Sequence, residues 1–348
     1  MNTLAQTVKD RYSVYNGDVC EVIKGIPDNS IHYTIYSPPF SSLYTYTNSE
    51  RDMGNCKDDA QFMEHFKFLI PEMLRITMPG RLHSFHCMNL PTSKERHGVI
   101  GIRDFRGQLI DAFVKAGWIY HSEVTIWKDP VTAMQRTKAL GLLHKQLKKD
   151  SAMSRQGIPD YLVTMRKPGD NPERVTHTAE GFPVAMWQRY ASPVWATIGE
   201  VGDKFAECTS PNRDNPDKNG IDAGYTLQSM KAEKDERHIC PLQLQVIERA
   251  VELWTNPNDV VFSPFTGIGS EGYQSILQGR RFIGTELKPA YYQQAVKNLE
   301  KAEHEAKSEQ SDLFADPTKP TAAKSKPKAA KKSPVKSTKR KAACAGAK

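Results

Sequence analysis

A short apolar run that ends in two prolines constrains the fold of this 348-residue chain more than any other feature. Residues 31–36 are rich in β-prone side chains, and Ser37-Pro38-Pro39-Phe40 follows them directly. Prolines cannot continue a hydrogen-bonded ladder, so the pattern predicts a buried strand with a stiff turn at its carboxyl end. Because neither proline has an N–H, the turn offers mainly acceptors and can grip a flat ring that carries an amino group. An ordinary Pro-Pro loop exit is the alternative interpretation.

A glycine-containing turn stands near the other end of the chain. Residues 260–262 are typical of a strand, and Ser263-Pro264-Phe265-Thr266-Gly267-Ile268-Gly269 follows before a predicted helix. Gly267 and Gly269 allow close approach of the backbone to a ligand, and the helix start presents free N–H groups. Glu286 ends the next predicted strand, where an acid suits the two hydroxyls of a ribose. No Gly-Lys-Ser/Thr follows this turn, which disfavours a nucleoside triphosphate as the ligand. A surface ion pair with Lys288 is the alternative for Glu286.

Strand and helix patterns alternate along most of the chain, which favours a parallel sheet covered on both faces. The alternation breaks between residues 128 and 237, a stretch rich in Pro, Gly, Asn and charged residues, and it returns from Pro241. Long irregular segments inside a domain are usually functional or disordered. The predicted strands are residues 12–15, 31–36, 81–86, 118–127, 161–165, 260–262 and 281–285.

The positive charge is concentrated at the carboxyl end. Residues 315–348 hold eleven Lys and Arg residues against one acid, which gives this segment a charge of +10. The whole chain has a formal net charge of +8, so the other residues together carry about −2. The segment is also rich in Ala, Pro and Ser, which predicts a disordered basic tail over residues 308–348. Such a polycation binds nucleic acid through phosphates, or serves only to keep the protein in solution.

The cysteines and the apolar runs indicate a cytoplasmic protein. Six cysteines are scattered without a pair at ligand spacing, which is typical of free thiols in a reducing compartment. His238 and Cys240 are neighbours, but two ligands do not make a zinc site, and we predict no metal. The apolar runs are too short for a bilayer and residues 1–11 lack a signal-peptide core, so no membrane partner is expected.

Five blocks of the sequence together resemble the exocyclic-amine DNA methyltransferases of the permuted beta class, which act on cytosine N4 or adenine N6. The resemblance covers about residues 14–127 and 235–299, and the lead-in and cofactor blocks are similar to methyltransferases of bacteriophages and prophages. The matching blocks are the Gly-Asp step Asn16-Gly17-Asp18, the catalytic turn Ser37-Pro38-Pro39-Phe40, the His-x-x-Pro-x-Gln lead-in at residues 238–243, the cofactor loop Phe265-Thr266-Gly267-Ile268-Gly269 and the ribose step at residues 285–291.

The resemblance implies an α/β, Rossmann-like S-adenosylmethionine-dependent methyltransferase fold. Its sheet would be seven-stranded, mostly parallel and circularly permuted, with a catalytic half at residues 1–127 and a cofactor half at 238–307. A target-recognition region at 128–237 would be inserted between them, and the tail would follow. The implied catalytic residues are Ser37, Pro38, Pro39 and Phe40, and those implied to bind S-adenosyl-L-methionine are Asp18, Ser263, Phe265, Gly267, Gly269 and Glu286. The family usually has Asp where Ser263 stands.

The implied reaction methylates the exocyclic amine of a base flipped out of double-stranded DNA. The Ser37 hydroxyl and the Pro38 carbonyl would accept from the amine, and Phe40 would stack on the base. Cytosine N4 is preferred, because Ser heads this turn more often in the cytosine enzymes, and adenine N6 is the alternative. Less favoured are a catalytically weak DNA-binding protein and a methyltransferase of RNA or of protein glutamine. A homodimer, a restriction-modification role and a bacterial or phage-infected cell are the remaining expectations.

Overall fold

The computed structural model describes residues 3–41, 47, 49–127, 130, 134, 140–195 and 242–313. The predicted basic tail beyond residue 313, the His238 and Cys240 pair and residues 196–237 of the predicted recognition region lie outside the described residues. Across the described ranges, no helix is both long and apolar enough to cross a bilayer.

Strands and helices alternate along the described chain, as the sequence patterns predict. The strands are β1 (Ala5–Val8), β2 (Tyr12–Asn16), β3 (Ile31–Tyr36), β4 (Thr77–Met88), β5 (Leu90–Pro91), β6 (Ile102–Arg103), β7 (Ile119–Ile126), β8 (Asp160–Arg166), β9 (Val194–Trp195), β10 (Val260–Ser263) and β11 (Arg281–Glu286). The helices are α1 (Val19–Val22), α2 (Asp59–Phe66), α3 (Leu69–Ile76), α4 (Lys94–His97), α5 (Phe105–Lys115), α6 (Val184–Tyr190), α7 (Leu244–Trp254), α8 (Ser270–Leu277) and α9 (Pro289–Leu313).

Within the described residues, the main sheet has nine strands in the order β1-β2-β11-β10-β3-β4-β8-β7-β9, and β5 pairs with β6 in a separate ribbon. Neighbours from β2 to β4 run parallel, whereas β8 is antiparallel to both β4 and β7. The predicted count of seven strands is therefore wrong, because β1 and β9 extend the two edges. β1 is largely exposed and lacks an alternating apolar pattern, and β9 has only two residues. Neither carries the periodicity by which a strand is recognised in a sequence.

Helices cover both faces of the sheet, because successive residues of the central strands point to opposite sides. Tyr33 and Ile35 of β3 join one apolar core with side chains of α7, α8 and α9. Tyr36 joins the other core, with side chains of α2, α3 and α5. On β10, Val261 belongs to the first core and Phe262 to the second. The predicted doubly covered α/β architecture is confirmed.

The strand order brings the two distant sequence blocks together. β3 and β10 are parallel neighbours, with Tyr33 opposite Val261 and Thr34 opposite Phe262, so the turns that follow them leave the sheet at the same edge. β3 has β4 on its other side and β10 has β11, which makes this junction a switch point of the topology. Ligands of open α/β sheets bind at such points.

Strand β8 comes from the predicted inserted region but lies within the main sheet. It pairs with β4 on one side and with β7 on the other. The sheet is thus completed by residues 160–166, while the division of the chain into halves and an inserted recognition region stays a prediction.

Candidate active site

An open cleft of about 1060 Å³ lies at the edge where β3 and β10 end. Eight of the ten predicted site residues line it, and Ser263 and Gly269 do not. The eight are Asp18, Ser37, Pro38, Pro39, Phe40, Phe265, Gly267 and Glu286. Further lining residues that the sequence did not single out include Arg51, Asp52, Glu271 and Tyr291.

The Ser37–Phe40 turn is held rigidly on the wall of the cleft. Pro38 and Pro39 are buried, and Phe40 packs edge-on against the ring of His86 at 6.0 Å between centroids. The turn ends at Ser41, which adopts a left-handed φ of 52° and donates its N–H to Pro39 O at 3.0 Å. The Ser41 hydroxyl donates to Asp59 Oδ1 at 2.5 Å. A residue with a side chain is uncommon in this conformation, so the anchor on Asp59 helps to fix the turn.

A chain of buried hydrogen bonds leads from Ser37 into the sheet. Ser37 Oγ lies 2.7 Å from His86 Nδ1, and His86 Nε2 lies 2.9 Å from Asp160 Oδ2. The side chains of His86 and Asp160 are only 4% and 2% exposed. Since a carboxylate only accepts, His86 Nε2–H donates to Asp160. In the neutral ring, Nδ1 then accepts from the Ser37 hydroxyl.

Strand register places these three residues together. Tyr36 is opposite Phe85 in the parallel β3–β4 pair, so Ser37 and His86 follow at the same level. Met88 is opposite Asp160 in the antiparallel β4–β8 pair. His86 and Asp160 were not predicted from the sequence as site residues. The only signal was a histidine near the end of a predicted strand, and no local pattern indicated that β8 would pair with β4.

Two glycines and an acid shape the opposite wall. Gly267 and Gly269 have φ values of 55° and 88°, which a residue with a Cβ adopts only at a cost. A Cβ on Gly269 would also lie 3.2 Å from Ala295 Cα, so the loop packs closely against α9. The Glu286 carboxylate accepts from Gly267 N–H at 2.7 Å and from Lys288 N–H at 2.8 Å. Glu286 therefore stabilises the glycine loop as well as facing the cleft.

The Asn16-Gly17-Asp18 step closes the same end of the cleft. Gly17 N–H and the Asn16 side-chain amide donate to Glu286 O at 3.0 and 2.7 Å, which fixes the step beside β11. Asp18 caps α1 by accepting from Cys20 N–H at 2.9 Å, and its second oxygen lies 3.4 Å from the Arg51 guanidinium.

Acidic groups dominate the described lining of the cleft. Asp18, Asp52, Glu271 and Glu286 face it, against the single guanidinium of Arg51. Burial raises the pKa of Glu271 to about 8, and the nearby charge of Glu286 adds to this rise. Burial likewise raises the pKa of Glu286 to about 7. Carboxylates that are this poorly stabilised gain from a positively charged ligand, so the cleft fits a cation better than an anion.

Ser263 does not line the cleft. It is fully buried at the end of β10, and its hydroxyl has no hydrogen-bond partner among the described residues. Its predicted part in cofactor binding stays a prediction. The charge that the family usually places at this position is absent, and the lining acids lie elsewhere on the wall.

The described part of the predicted recognition region contains both core and surface aromatics. Trp195 is 1% exposed and packs against the guanidinium of Arg249, which confirms the structural role predicted for it. Trp187, on α6, is 54% exposed. Of the basic residues, Lys167 is tied to Thr77 O at 2.7 Å and does not project freely.

A family model described as DNA methylase, N6_N4_Mtase, matches residues 31–297 of the chain. The type II methyltransferase M.BglII of Bacillus subtilis is 23% identical over 280 residues, which are 80% of this chain and 66% of that protein. The DNA adenine methyltransferase YhdJ of Escherichia coli K12 is 32% identical over 69 residues, 20% of this chain and 24% of that one. The chain thus spans less than two thirds of the length of these curated relatives.

Two solved structures share the fold. TTHA0409 of Thermus thermophilus, crystallised with S-adenosyl-L-methionine, superposes with a TM-score of 0.57 at 19% identity over 84% of this chain and 93% of that one. The cytosine-N4-specific PvuII DNA methyltransferase gives a TM-score of 0.55 at 14% identity over 88% and 95% of the two chains.

Proposed function

The chain belongs to the N6_N4_Mtase family of DNA methylases, and from that premise we propose that it methylates an exocyclic amine of a base in double-stranded DNA, with S-adenosyl-L-methionine as the methyl donor. The observation that carries the proposal is the single cleft lined by both the Ser37–Phe40 turn and the glycine loop. Cytosine N4 is the first target and adenine N6 the second.

The lining of the cleft supports S-adenosylmethionine as the cofactor. This molecule supplies an activated methyl group on a positively charged sulfonium, and it also carries an ammonium group. Four acids and one arginine line the described cleft, which suits such a cation. Asp18, Phe265, Gly267 and Glu286 would hold the adenosine portion, with Glu286 facing the ribose hydroxyls, and Gly269 would shape the loop without lining the cleft. The cofactor-bound structure of TTHA0409, which has the same fold, also supports this proposal.

Ser37 is the proposed acceptor for the target amine. Its hydroxyl donates to His86 Nδ1 at 2.7 Å, which leaves the lone pairs of Oγ available to an incoming N–H. The carbonyl of Pro38 receives no hydrogen bond from the described residues and is the second acceptor, whereas Pro39 O already accepts from Ser41. Acceptors on both hydrogens pull the nitrogen toward a pyramidal shape and localise its lone pair, which makes a poor nucleophile more reactive.

His86 and Asp160 provide a path for the proton that the methylated amine must lose. Ser37 Oγ takes this proton as it gives its own to His86 Nδ1. The resulting imidazolium is stabilised by the Asp160 carboxylate, which lies 2.9 Å from Nε2. The same bond holds the ring in the tautomer that accepts from Ser37. General acid–base assistance of this kind contributes about 10²–10⁴-fold to a rate.

The finer assignments follow from the order of the blocks along the chain. The turn after β3 precedes the glycine loop after β10, which supports the circularly permuted beta class, and the phage or prophage origin stays a prediction. We further propose that residues 128–237 recognise the target sequence and that the basic tail adds phosphate contacts. A homodimer and a restriction-modification role stay predictions.

One experiment tests both the reaction and the base. The purified protein is incubated with isotope-labelled S-adenosylmethionine and plasmid DNA, and the digested nucleosides are identified by mass spectrometry. We expect labelled N4-methylcytosine. Labelled N6-methyladenine would keep the reaction class and correct the base, whereas label only in added RNA or in protein would overturn the proposal.

Asp160→Asn tests the positioning role of the buried pair. The Asn amide can donate to His86 Nε2, which moves the ring proton to Nδ1 and removes the acceptor for the Ser37 hydroxyl. We expect kcat to fall by roughly 10²-fold, with an altered pH profile and an unchanged Kd for S-adenosylmethionine. The control is Asp10→Asn, at an exposed loop position. An unchanged kcat and pH profile in the folded Asp160 variant would contradict the proton path.

A further inference from the structure

Glu271 is a buried acid on the cleft wall that neither the sequence motifs nor the proposed mechanism uses. It lies in the first turn of α8, directly behind the glycine loop, and it is 4% exposed. It nevertheless lines the cleft. A carboxylate in such a position needs strong hydrogen-bond donors or a positive charge to offset its loss of hydration.

The other lining acids have donors from the protein. Glu286 accepts from two backbone N–H groups, and Asp18 accepts from Cys20 N–H and pairs with Arg51. Asp52 accepts from Gly54 N–H at 2.8 Å and from Thr47 N–H at 2.6 Å. Within the described residues, Glu271 receives a hydrogen bond only from its own backbone N–H, and no basic side chain offsets its burial.

We propose that the Glu271 carboxylate binds the α-ammonium group of the methionine portion of the methyl donor, an inference that rests on the proposed function. An ammonium group has three N–H donors that need acceptors, whereas a sulfonium has no N–H donor. The Glu271 carboxylate, which receives no hydrogen bond from another described residue, therefore fits the ammonium better than the sulfonium. The Glu286 carboxylate already accepts from Gly267 N–H and faces the proposed position of the ribose. Glu271 is therefore the acid assigned to the methionine portion of S-adenosylmethionine. Glu271 would thereby replace the charge missing at Ser263, whose buried hydroxyl is fully inside the protein.

The burial of Glu271 also affects the stability of the protein without ligand. Because its pKa in the folded protein is raised from 4.5 to about 8, ionised Glu271 destabilises the ligand-free fold, increasingly as pH rises from 4.5 through 8. Glu271→Gln removes this cost, so its Tm without ligand should equal or exceed that of the wild type at pH 8. Asp18, Asp52, Glu286 and Arg51 also face this part of the cleft, and all are retained in the variant.

The test compares three ligands by calorimetric titration of Glu271→Gln and of the wild type. S-adenosylmethionine and S-adenosylhomocysteine both carry the ammonium, and only the first carries the sulfonium. 5′-Methylthioadenosine has neither group. We expect the Kd of the first two to rise about 10- to 100-fold in the variant, as expected for loss of a hydrogen bond between charged groups, and that of 5′-methylthioadenosine to stay unchanged. Glu300→Gln, at an exposed position of α9, is the matched control and should change none of the three.

The titrations have other possible results, and each of them contradicts a different part of the proposal. Weaker binding of S-adenosylmethionine alone would place Glu271 against the sulfonium and overturn the ammonium assignment. Equal Kd values in wild type and variant, or equal weakening of all three ligands, would overturn any direct contact. If Glu271→Gln does not fold, Glu271→Asp is titrated instead, and the same selective weakening is required. A wild type that binds none of the three ligands would instead refute the proposed function.

Discussion

Replacing Ser37 with alanine is expected to lower methyl transfer to DNA by about 10²-fold or more. The change removes the proposed acceptor for the target amine and the first member of the hydrogen-bond chain to His86 and Asp160. Ser37 is partly exposed at the cleft and its neighbours Pro38 and Pro39 set the backbone of the turn, so the fold should tolerate the change. The measurement is single-turnover methylation of DNA together with the Kd for S-adenosylmethionine, which should stay unchanged.

The control for Ser37 is a serine outside the cleft. Ser30 donates its hydroxyl to Pro27 O at 2.7 Å near the opposite end of β3, and Ser30→Ala should keep the wild-type rate. Phe40→Ala is a poorer probe, because Phe40 is 5% exposed and packs in a core, so lost rate and lost stability would be mixed. A Ser37→Ala enzyme with wild-type single-turnover rates would rule out the proposed role of the hydroxyl.

Replacing the Arg81 guanidinium with an uncharged side chain by Arg81→Met is expected to destabilise the protein by about 3–5 kcal/mol, because it leaves the buried Asp259 carboxylate without the guanidinium that pairs with it. Arg81 is 2% exposed on β4 and forms an ion pair with Asp259, which is 5% exposed. Arg81 also donates to the backbone oxygens of His32 and Glu173, each at 2.9 Å. The free energy of unfolding is measured by urea titration at pH 7.

This ion pair lies at the end of the strands opposite the cleft. His32 accepts from Val260 N–H at 3.1 Å there, so the cluster joins the starts of β3 and β10. The folded Arg81 variant should therefore keep the wild-type Kd for S-adenosylmethionine below its Tm. Asp111→Asn breaks an exposed ion pair with Lys115 on α5 and should cost less than about 1 kcal/mol. A loss below about 1 kcal/mol in Arg81→Met would show that the buried pair contributes no more than an exposed one.

Local backbone restrictions explain which parts of the fold were predictable. Pro38 and Pro39 end β3, as their missing N–H groups require, and the bounds of β3 match the predicted run. Gly267 and Gly269 have positive φ values in the predicted turn. By contrast, β1 and β9 form at the edges of the sheet because a neighbouring strand offers free backbone N–H and C=O groups. The residues of β1 and β9 carry no sequence pattern that predicts a strand. The part of the chain that the structure describes therefore has nine strands in its main sheet, where seven were predicted.

The residues of the candidate site also fall into two groups, those that were predicted from local sequence and those that only the structure identifies. Local sequence was enough to specify the two turns and Glu286, because proline, glycine and an acid at a strand end restrict what the adjacent backbone can do and bind. His86, Asp160 and Glu271 became visible as site residues through packing alone, since they belong to three elements far apart in the chain. Their surroundings depend on the register of β4 between β3 and β8 and on the burial of the first turn of α8. Register and burial are properties of packed neighbours, so no single stretch of sequence encodes them.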